Sequence, residues 1–439
     1  MEDYRQQELE LPGIDHRKLT VKFSGGDITS DGGCLLLRQV DQNLDLMKQV
    51  ASVIQDIRKQ AYVSHSLESL LRQRVFGIAL GYEDVNDHTT LRNDPALQVA
   101  VGKPGVLASS STLGRLERKA NREMALAIHE KMIEAFIASF SEPPEELILD
   151  FDATDTEIHG NQVGRFFHGY YGHYCFLPLY VFCNGQVLVS YLREANRDAS
   201  RHAGAILKLL TARLRQAWPQ VRIIFRGDSG FCRRRILSWC ERNQVSYIVG
   251  LAQNKRLNTL NGTSMRLAES LYRQTQQKQR WFQEFLYAAK TWHAERRVIA
   301  KAEHTEKGAN PRYVLTNLKG KPDWIYDTLY CARGEMENRI KEEQLQLFAN
   351  RTSCHNWWPN QFRLLLSSLA YILVETIRRT ALQGTEMAKA QCQTIRLKLF
   401  KIGAVILSNT RRIRFLLSSA YPRQALFFQV SRRLLNNTG

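Results

Sequence analysis

Acid is in short supply in this chain. Asp and Glu number 43 against 61 Lys and Arg in 439 residues, a net charge of +18. So basic a chain does not suit an enzyme of small metabolites and favours a polyanionic partner, nucleic acid ahead of a membrane surface. Long apolar runs are missing too. The longest, Leu364 to Val374, includes two serines and is too short to span a bilayer. The opening MEDYRQQELELPG is acidic and polar, without the apolar segment of a secretory leader, so the expected location is the cytoplasm. The eight cysteines form no CxxC pair. That excludes a zinc ribbon and leaves free thiols in a reducing compartment as the expectation. No G-x-x-x-x-G-K-[ST] loop and no G-x-S-x-G elbow occurs, so neither ATP use nor a serine nucleophile is expected. Disorder is excluded as the main state, because 44% of the residues are apolar.

What is present is unevenly placed. From Arg351 to Gly439, 14 Lys and Arg stand against Glu375 and Glu386 alone, so two thirds of the net charge lies there. Leu364, Leu365, Leu369, Ile372 and Leu373 recur at helical spacing in the same stretch. The tail reads as packed helices with a basic outer face, begun by Trp357-Trp358-Pro359. At the other end, FSGGDITSDGG (Phe23 to Gly33) is turn-rich, and Ser66 to Leu80 and Ser111 to Phe140 have helical periodicity around a Gly/Pro/Ser connector.

The pattern changes at Leu147. Leu147 to Asp152 reads as a buried strand ending in acids. Cys175 to Cys183 and Gln186 to Leu192 flank Asn184-Gly185, a hairpin signal, with Pro178 near a strand start. Ala199 to Trp218 predicts a helix, Val221 to Phe225 a strand, Arg233 to Arg242 a helix and Val245 to Leu251 a strand. Residues 254–310 interrupt this order with strand candidates at Trp281 to Tyr287 and Trp292 to Lys301. The order resumes at Tyr313 to Thr316, and a helix follows from Ala332 to Phe348. The expected fold is α/β: a mixed five-stranded sheet with helices, an insertion subdomain, and helical terminal domains. The expected divisions are 1–144, a core of 145–253 with 311–350, an insertion of 254–310, and 351–439.

Asp152 and Asp228 each close a strand of that sheet, where α/β folds place ligands. Asp150 shares the strand face of Asp152. Asp152 is preferred because it is nearer the strand end and opens D-x-T-D. Tyr330, Arg333, Glu337 and Lys341, spaced by 3, 4 and 4, share a helix stripe, while Glu335 faces elsewhere. Three carboxylates in a basic protein suit two Mg²⁺ ions, with Mn²⁺ as a substitute, acting on a phosphodiester. His159, His168 and His173 are a weaker alternative, a zinc site at irregular spacing.

The strings LILDFDATDTEIHG, GRFFHGYYGHYCFLPLYVF, IIFRGDSGF and YCARGEMENRIKE resemble bacterial insertion-sequence transposases of the DDE class. The group they are most similar to is the insertion-sequence thirteen-eighty family. FSGGDITSDGG and GYEDVNDHTTLRNDPAL extend the resemblance almost end to end. It implies an RNase H-like core and cut-and-paste transposition, with binding of terminal inverted repeats, Mg²⁺-dependent cleavage and strand transfer. It also implies Asp152, Asp228 and Glu337 as metal ligands, and Tyr330, Arg333, Lys341, Arg165 and Trp292 (or Trp281) as DNA contacts. A homodimer joining two element ends, acting at the bacterial nucleoid, is part of the same expectation. In the related superfamily a Lys follows the Glu by seven positions; here Gln344 stands there, and Lys341 is the substitute. A noncatalytic DNA-binding protein and a structure-selective nuclease without strand transfer are the competing readings.

Overall fold

The computed structural model describes residues 7–103 and 105–436. The first six residues of the acidic opening, Pro104 of the connector and the last three residues lie outside them. The chain divides into two compact units, Ala120–Ser368 and Met1–Lys119 with Leu369–Gly439.

In the first unit, Leu147, Leu149 and Phe151 alternate with Ile148, Asp150 and Asp152 along the strand Glu146–Ala153. Successive side chains of a strand turn to opposite faces. The leucines and Phe151 join Ile223, Phe225 and Val249 beneath Leu207, Leu210 and Leu237 of the helices Ala203–Ala217 and Arg234–Arg242. The opposite face carries Ile148, Ile224, Ile248, Ile299 and Val314, covered by Ile325 and Tyr326. Asp150 and Asp152 therefore face the segment that leads into the Glu337 helix.

The sheet is mixed and has nine strands rather than the five expected. From one edge its order is Gln279–Tyr287, Arg296–Thr305, Arg312–Thr316, Ser246–Leu251, Arg222–Gly227, Glu146–Ala153, Leu179–Cys183 and Gln186–Tyr191; Gly308–Ala309 pairs with Arg296–Thr305. Arg222–Gly227 runs parallel to both of its neighbours, and the other pairings are antiparallel. The excess over five comes mainly from the stretch expected to stand apart as an insertion. Val298, Ile299 and Ala300 are fully buried, and they reach that burial by pairing Val298 with Leu315 and Ile299 with Val314 in the main sheet. The Asn184-Gly185 hairpin forms as expected, with φ of 51° and 78° at its two central residues, as a type I′ turn requires.

The helix Arg333–Lys341 lies between two wide turns, Ile325–Tyr330 and Glu342–Gln346. Their mark is hydrogen bonding across five residues, Cys331 N to Tyr326 O and Leu347 N to Glu342 O, each 3.0 Å. Such turns rotate the flanking helix faces relative to a regular helix and recur at functional sites. The second one buries Glu342 and Glu343 completely. Ser368 Oγ lies 2.8 Å from Glu343 Oε2 and 2.7 Å from Ser190 Oγ. Glu343 Oε1 and the fully buried Tyr180 hydroxyl have no hydrogen-bond partner among the described residues.

The second unit corrects the expectation of separate terminal domains, because the two ends of the chain pack together. Ile28–Thr29 pairs with Ala404–Ser408, which pairs with Ile413–Leu417, so the tail contains a hairpin as well as helices. The DGG of the early motif is explained by close approach: a Cβ on Gly33 would lie 1.8 Å from Leu399 O. Asp31 beside it accepts the Tyr82 hydroxyl at 2.6 Å and pairs with Lys401 at 2.7 Å. Several tail arginines are internal. Arg396 donates to Ala79 O at 2.8 Å and Arg433 to Ala381 O at 2.8 Å, closing helix ends. Arg411, Arg412 and Arg414 are exposed on the hairpin, and Arg432 is exposed on the helix Gln424–Asn436. All eight cysteines are free. No helix among the described residues is long and apolar enough to cross a membrane.

Burial pushes the Glu343 carboxyl up to about 8, against the opposing Ser368 hydrogen bond. A carboxyl raised in the folded state stabilises the protein fully below its unfolded value, and that contribution is lost as pH rises through about 8. Glu343→Gln, neutral at every pH, should therefore melt a few degrees above the wild type in alkaline buffer. The gap should close toward acid pH, as read by thermal unfolding across pH.

Candidate active site

Parallel pairing sets the first two acids side by side. Arg226 pairs with Asp150 and Gly227 with Phe151, so the next positions, Asp152 and Asp228, leave the same end of adjacent strands. The two aspartates on the first strand then part company. Asp150 is buried, and its two oxygens are taken by Arg226, with Arg226 Nη2 2.5 Å from Asp150 Oδ2. The same guanidinium donates to Leu329 O, in the turn before the Glu337 helix. Asp152 instead faces Arg333, whose Nη1 lies 3.3 Å from Asp152 Oδ2. Arg333 Nη2 lies 2.6 Å from Glu337 Oε1, so one guanidinium bridges two of the three acids. Asp228 starts a short turn, accepting the Gly230 N–H at 2.8 Å through Oδ1.

These groups sense one another. Burial pushes the Asp152 carboxyl up to about 7; Arg333 opposes the shift, and Asp228 and Glu337 add to it. Burial opposes the charge on Arg333, but Asp152 and Glu337, with smaller help from Tyr330 and Asp228, hold it above its ordinary value. Tyr330 reaches the same place. A Cβ on Gly250 would lie 2.7 Å from its hydroxyl and 2.8 Å from Ser229 N, so only glycine lets Tyr330 approach the Asp228 turn.

The other expected site residues lie elsewhere. Lys341, one turn beyond Glu337, is exposed and forms no ion pair among the described residues. Arg333 already holds Glu337 from the preceding turn. Gln344 donates to Asp155 O at 2.9 Å, tying the helix to the segment after Asp152, so the position of the superfamily lysine has a structural task. Arg165 donates to Asn161 Oδ1 at 2.6 Å and lies over the Tyr174 ring at 4.6 Å. It borders a small sheet of Thr156–Glu157, His173–Phe176 and Phe166–His168, on which Phe167 and Tyr174 are exposed. Trp292 packs edge-on against Tyr287 with Arg296 over its ring, as part of the core, whereas Trp281 is 44% exposed. The histidines do not converge on a metal. His168 pairs with His173 across the small sheet, His173 binds Asp155 at 2.8 Å, and His159 is exposed.

Carboxylate oxygens of this kind are the donors that a hard divalent cation takes. Burial first, then Asp228 and to a lesser degree Glu337, raise the proton affinity of Asp152, and a hard cation with oxygen preference would offset that. Among the described residues no three acids or histidines stand in metal-holding geometry, and Arg333 lies between two of the carboxylates. The Arg226–Asp150 pair escaped the sequence. Its signal was the arginine two residues before Asp228, which parallel register sets opposite Asp150.

That pair is a structural one, and the prediction follows. Arg226→Met alone strands a buried carboxylate and should cost about 3–5 kcal/mol. Pairing it with Asp150→Asn should recover most of the loss, measured by chemical denaturation.

A family model described as Transposase DDE domain group 1 matches residues 11–438. No curated protein matches the chain. Among solved structures, a cryo-EM structure of the piggyBac transposase synaptic complex with hairpin DNA is similar at 11% identity and a TM-score of 0.39. The match covers 84% of this chain and 79% of that one. With the family model spanning nearly the whole sequence, the chain belongs to the DDE transposase domain family and is a transposase.

Proposed function

We propose that this transposase is a bacterial insertion-sequence enzyme of the thirteen-eighty type. In this reading it binds the element's terminal inverted repeats, cuts them in a Mg²⁺-dependent reaction and joins the freed ends to target DNA. The observation that carries the reading is the meeting of Asp152, Asp228, Glu337, Arg333 and Tyr330 at one end of two parallel strands. Asp152, Asp228 and Glu337 would hold the ions, in a core taken as RNase H-like. When bound, two divalent cations supply an activated water or 3′-hydroxyl and neutralise the leaving oxygen of a phosphodiester.

The chain's own groups do the rest. Asp152 and Glu337 lie partly open to solvent beside a guanidinium whose fork matches a phosphate. Tyr330 buttresses the Asp228 turn across Gly250. Arg226 holds Asp150 neutralised beneath the site and anchors the turn that leads into the Glu337 helix. Arg165, the exposed aromatics beside it and Trp281 are candidates to flank DNA. Work at the nucleoid as a homodimer on paired ends completes the proposal.

Asp152→Asn, Asp228→Asn and Glu337→Gln should each reduce Mg²⁺-dependent nicking of a terminal-repeat duplex to background. End binding should remain, because affinity comes mostly from phosphate contacts. Nicking that survives in Asp228→Asn contradicts the triad. A noncatalytic DNA-binding protein would give no nick even as the wild type, and a nuclease would nick without joining ends to a supercoiled plasmid.

A second prediction concerns affinity. Arg411, Arg412 and Arg414 are exposed on one hairpin. Replacing all three by Gln should flatten the slope of log affinity against log salt by about 2–3, near 0.9 per lost phosphate contact. An unchanged slope marks them as a solvated surface. Deleting the tail would test less, because it would also remove the Arg396 and Lys401 contacts to the N-terminal segment.

A further inference from the structure

Arg333 holds the place where the carboxylate site has to open. It touches Asp152 at 3.3 Å and Glu337 at 2.6 Å, and these are two of the three acids proposed to hold metal. A guanidinium and a divalent cation compete for the same oxygens. A guanidinium also exchanges readily from carboxylate to phosphate, since both accept its fork. The helical position of Arg333, one turn before Glu337 and three residues after Tyr330, keeps it at the mouth of the site in either state.

We propose that Arg333 is a tethered counter-ion that blocks the metal site in the DNA-free protein, and that a DNA backbone phosphate opens the site by drawing Arg333 off Asp152 and Glu337. Metal and DNA then bind with positive coupling through a single side chain. The coupling is reciprocal: DNA tightens metal by the factor by which metal tightens DNA. The consequence is economy of damage, because a chain without DNA holds its cations weakly and its carboxylates stay masked. The inference rests on the proposed Asp152, Asp228 and Glu337 site, and its test separates the two.

The measurement is Mn²⁺ binding by the full chain, followed by the paramagnetic resonance signal of the free ion. It is made at one pH and one ionic strength for every variant. Without DNA, Arg333→Gln should bind Mn²⁺ about tenfold or more tighter than the wild type, within the usual range of site coupling. A short duplex of mixed sequence at low salt should tighten Mn²⁺ binding by the wild type and have little such effect in Arg333→Gln. Arg333→Lys keeps a charge but cannot bridge both acids, and should fall between; it also guards against a variant that merely unfolds. Mn²⁺ affinity in Arg333→Gln equal to or below that of the wild type, in a protein with wild-type melting, overturns the proposal. Adding Asp228→Asn to Arg333→Gln keeps the two ideas apart. If that addition abolishes Mn²⁺ binding while Arg333→Gln alone gives no gain, only the counter-ion role falls. If it leaves Mn²⁺ binding intact, the site itself is elsewhere, and the counter-ion role falls with it.

Discussion

Like charges gathered at the end of a buried sheet must be compensated, and this requirement organises the Ala120–Ser368 unit. Asp152 and Asp228 leave two parallel strands side by side, and Asp150 lies two register steps before them. A fold that merely needed stability would not put them there, since each buried carboxylate costs free energy until it is paired. Two arginines supply the compensation in different ways. Arg226 closes on Asp150 inside the core, and Arg333 bridges Asp152 and Glu337 where solvent can still reach. The first pair is a fixed part of the sheet. The second is an arrangement a cation or a phosphate can rearrange.

The helix that carries Glu337 is positioned by the same face of the sheet. Ile325 and Tyr326 cover Ile148, Ile224, Ile248 and Ile299, and the five-residue turn after them hands the chain to Arg333. The second such turn sinks Glu343 beside Ser190 and Ser368. An acid held neutral by burial there adds no further negative charge beneath a site already rich in it. Gly250 completes the arrangement by leaving room for the Tyr330 hydroxyl against the Asp228 turn.

Much of this was legible in the sequence, for identifiable reasons. Alternation from Leu147 to Asp152 and the Asn184-Gly185 pair gave strands and a hairpin, because both signals are local. The i,i+4 spacing of Arg333 and Glu337 put them on one stripe for the same reason, and the structure joins them as an ion pair. Lys341 obeyed that spacing and still forms no ion pair among the described residues, whereas Arg333 holds the carboxylate from the preceding turn. What spacing cannot report is register between distant strands, which sets Arg226 against Asp150. Nor does it show that Arg296–Thr305 joins the main sheet instead of folding apart, because the pairing partner lies beyond a turn. The tail has the helices that its spacing predicted, but Arg396 and Arg433 serve backbone carbonyls, and Arg411, Arg412 and Arg414 lie on a hairpin that helical spacing did not anticipate.

The central claim is that Asp152, Asp228 and Glu337 hold divalent metal together. Fe²⁺ bound in place of Mg²⁺ generates hydroxyl radicals that cut the polypeptide near its ligands. With ascorbate and peroxide, the account predicts backbone cuts clustered around Asp152, Asp228 and Glu337, suppressed by excess Mg²⁺ and lost together in Asp228→Asn. Cuts clustered instead around His159, His168 and His173, or spread along the chain and indifferent to Mg²⁺, would contradict it.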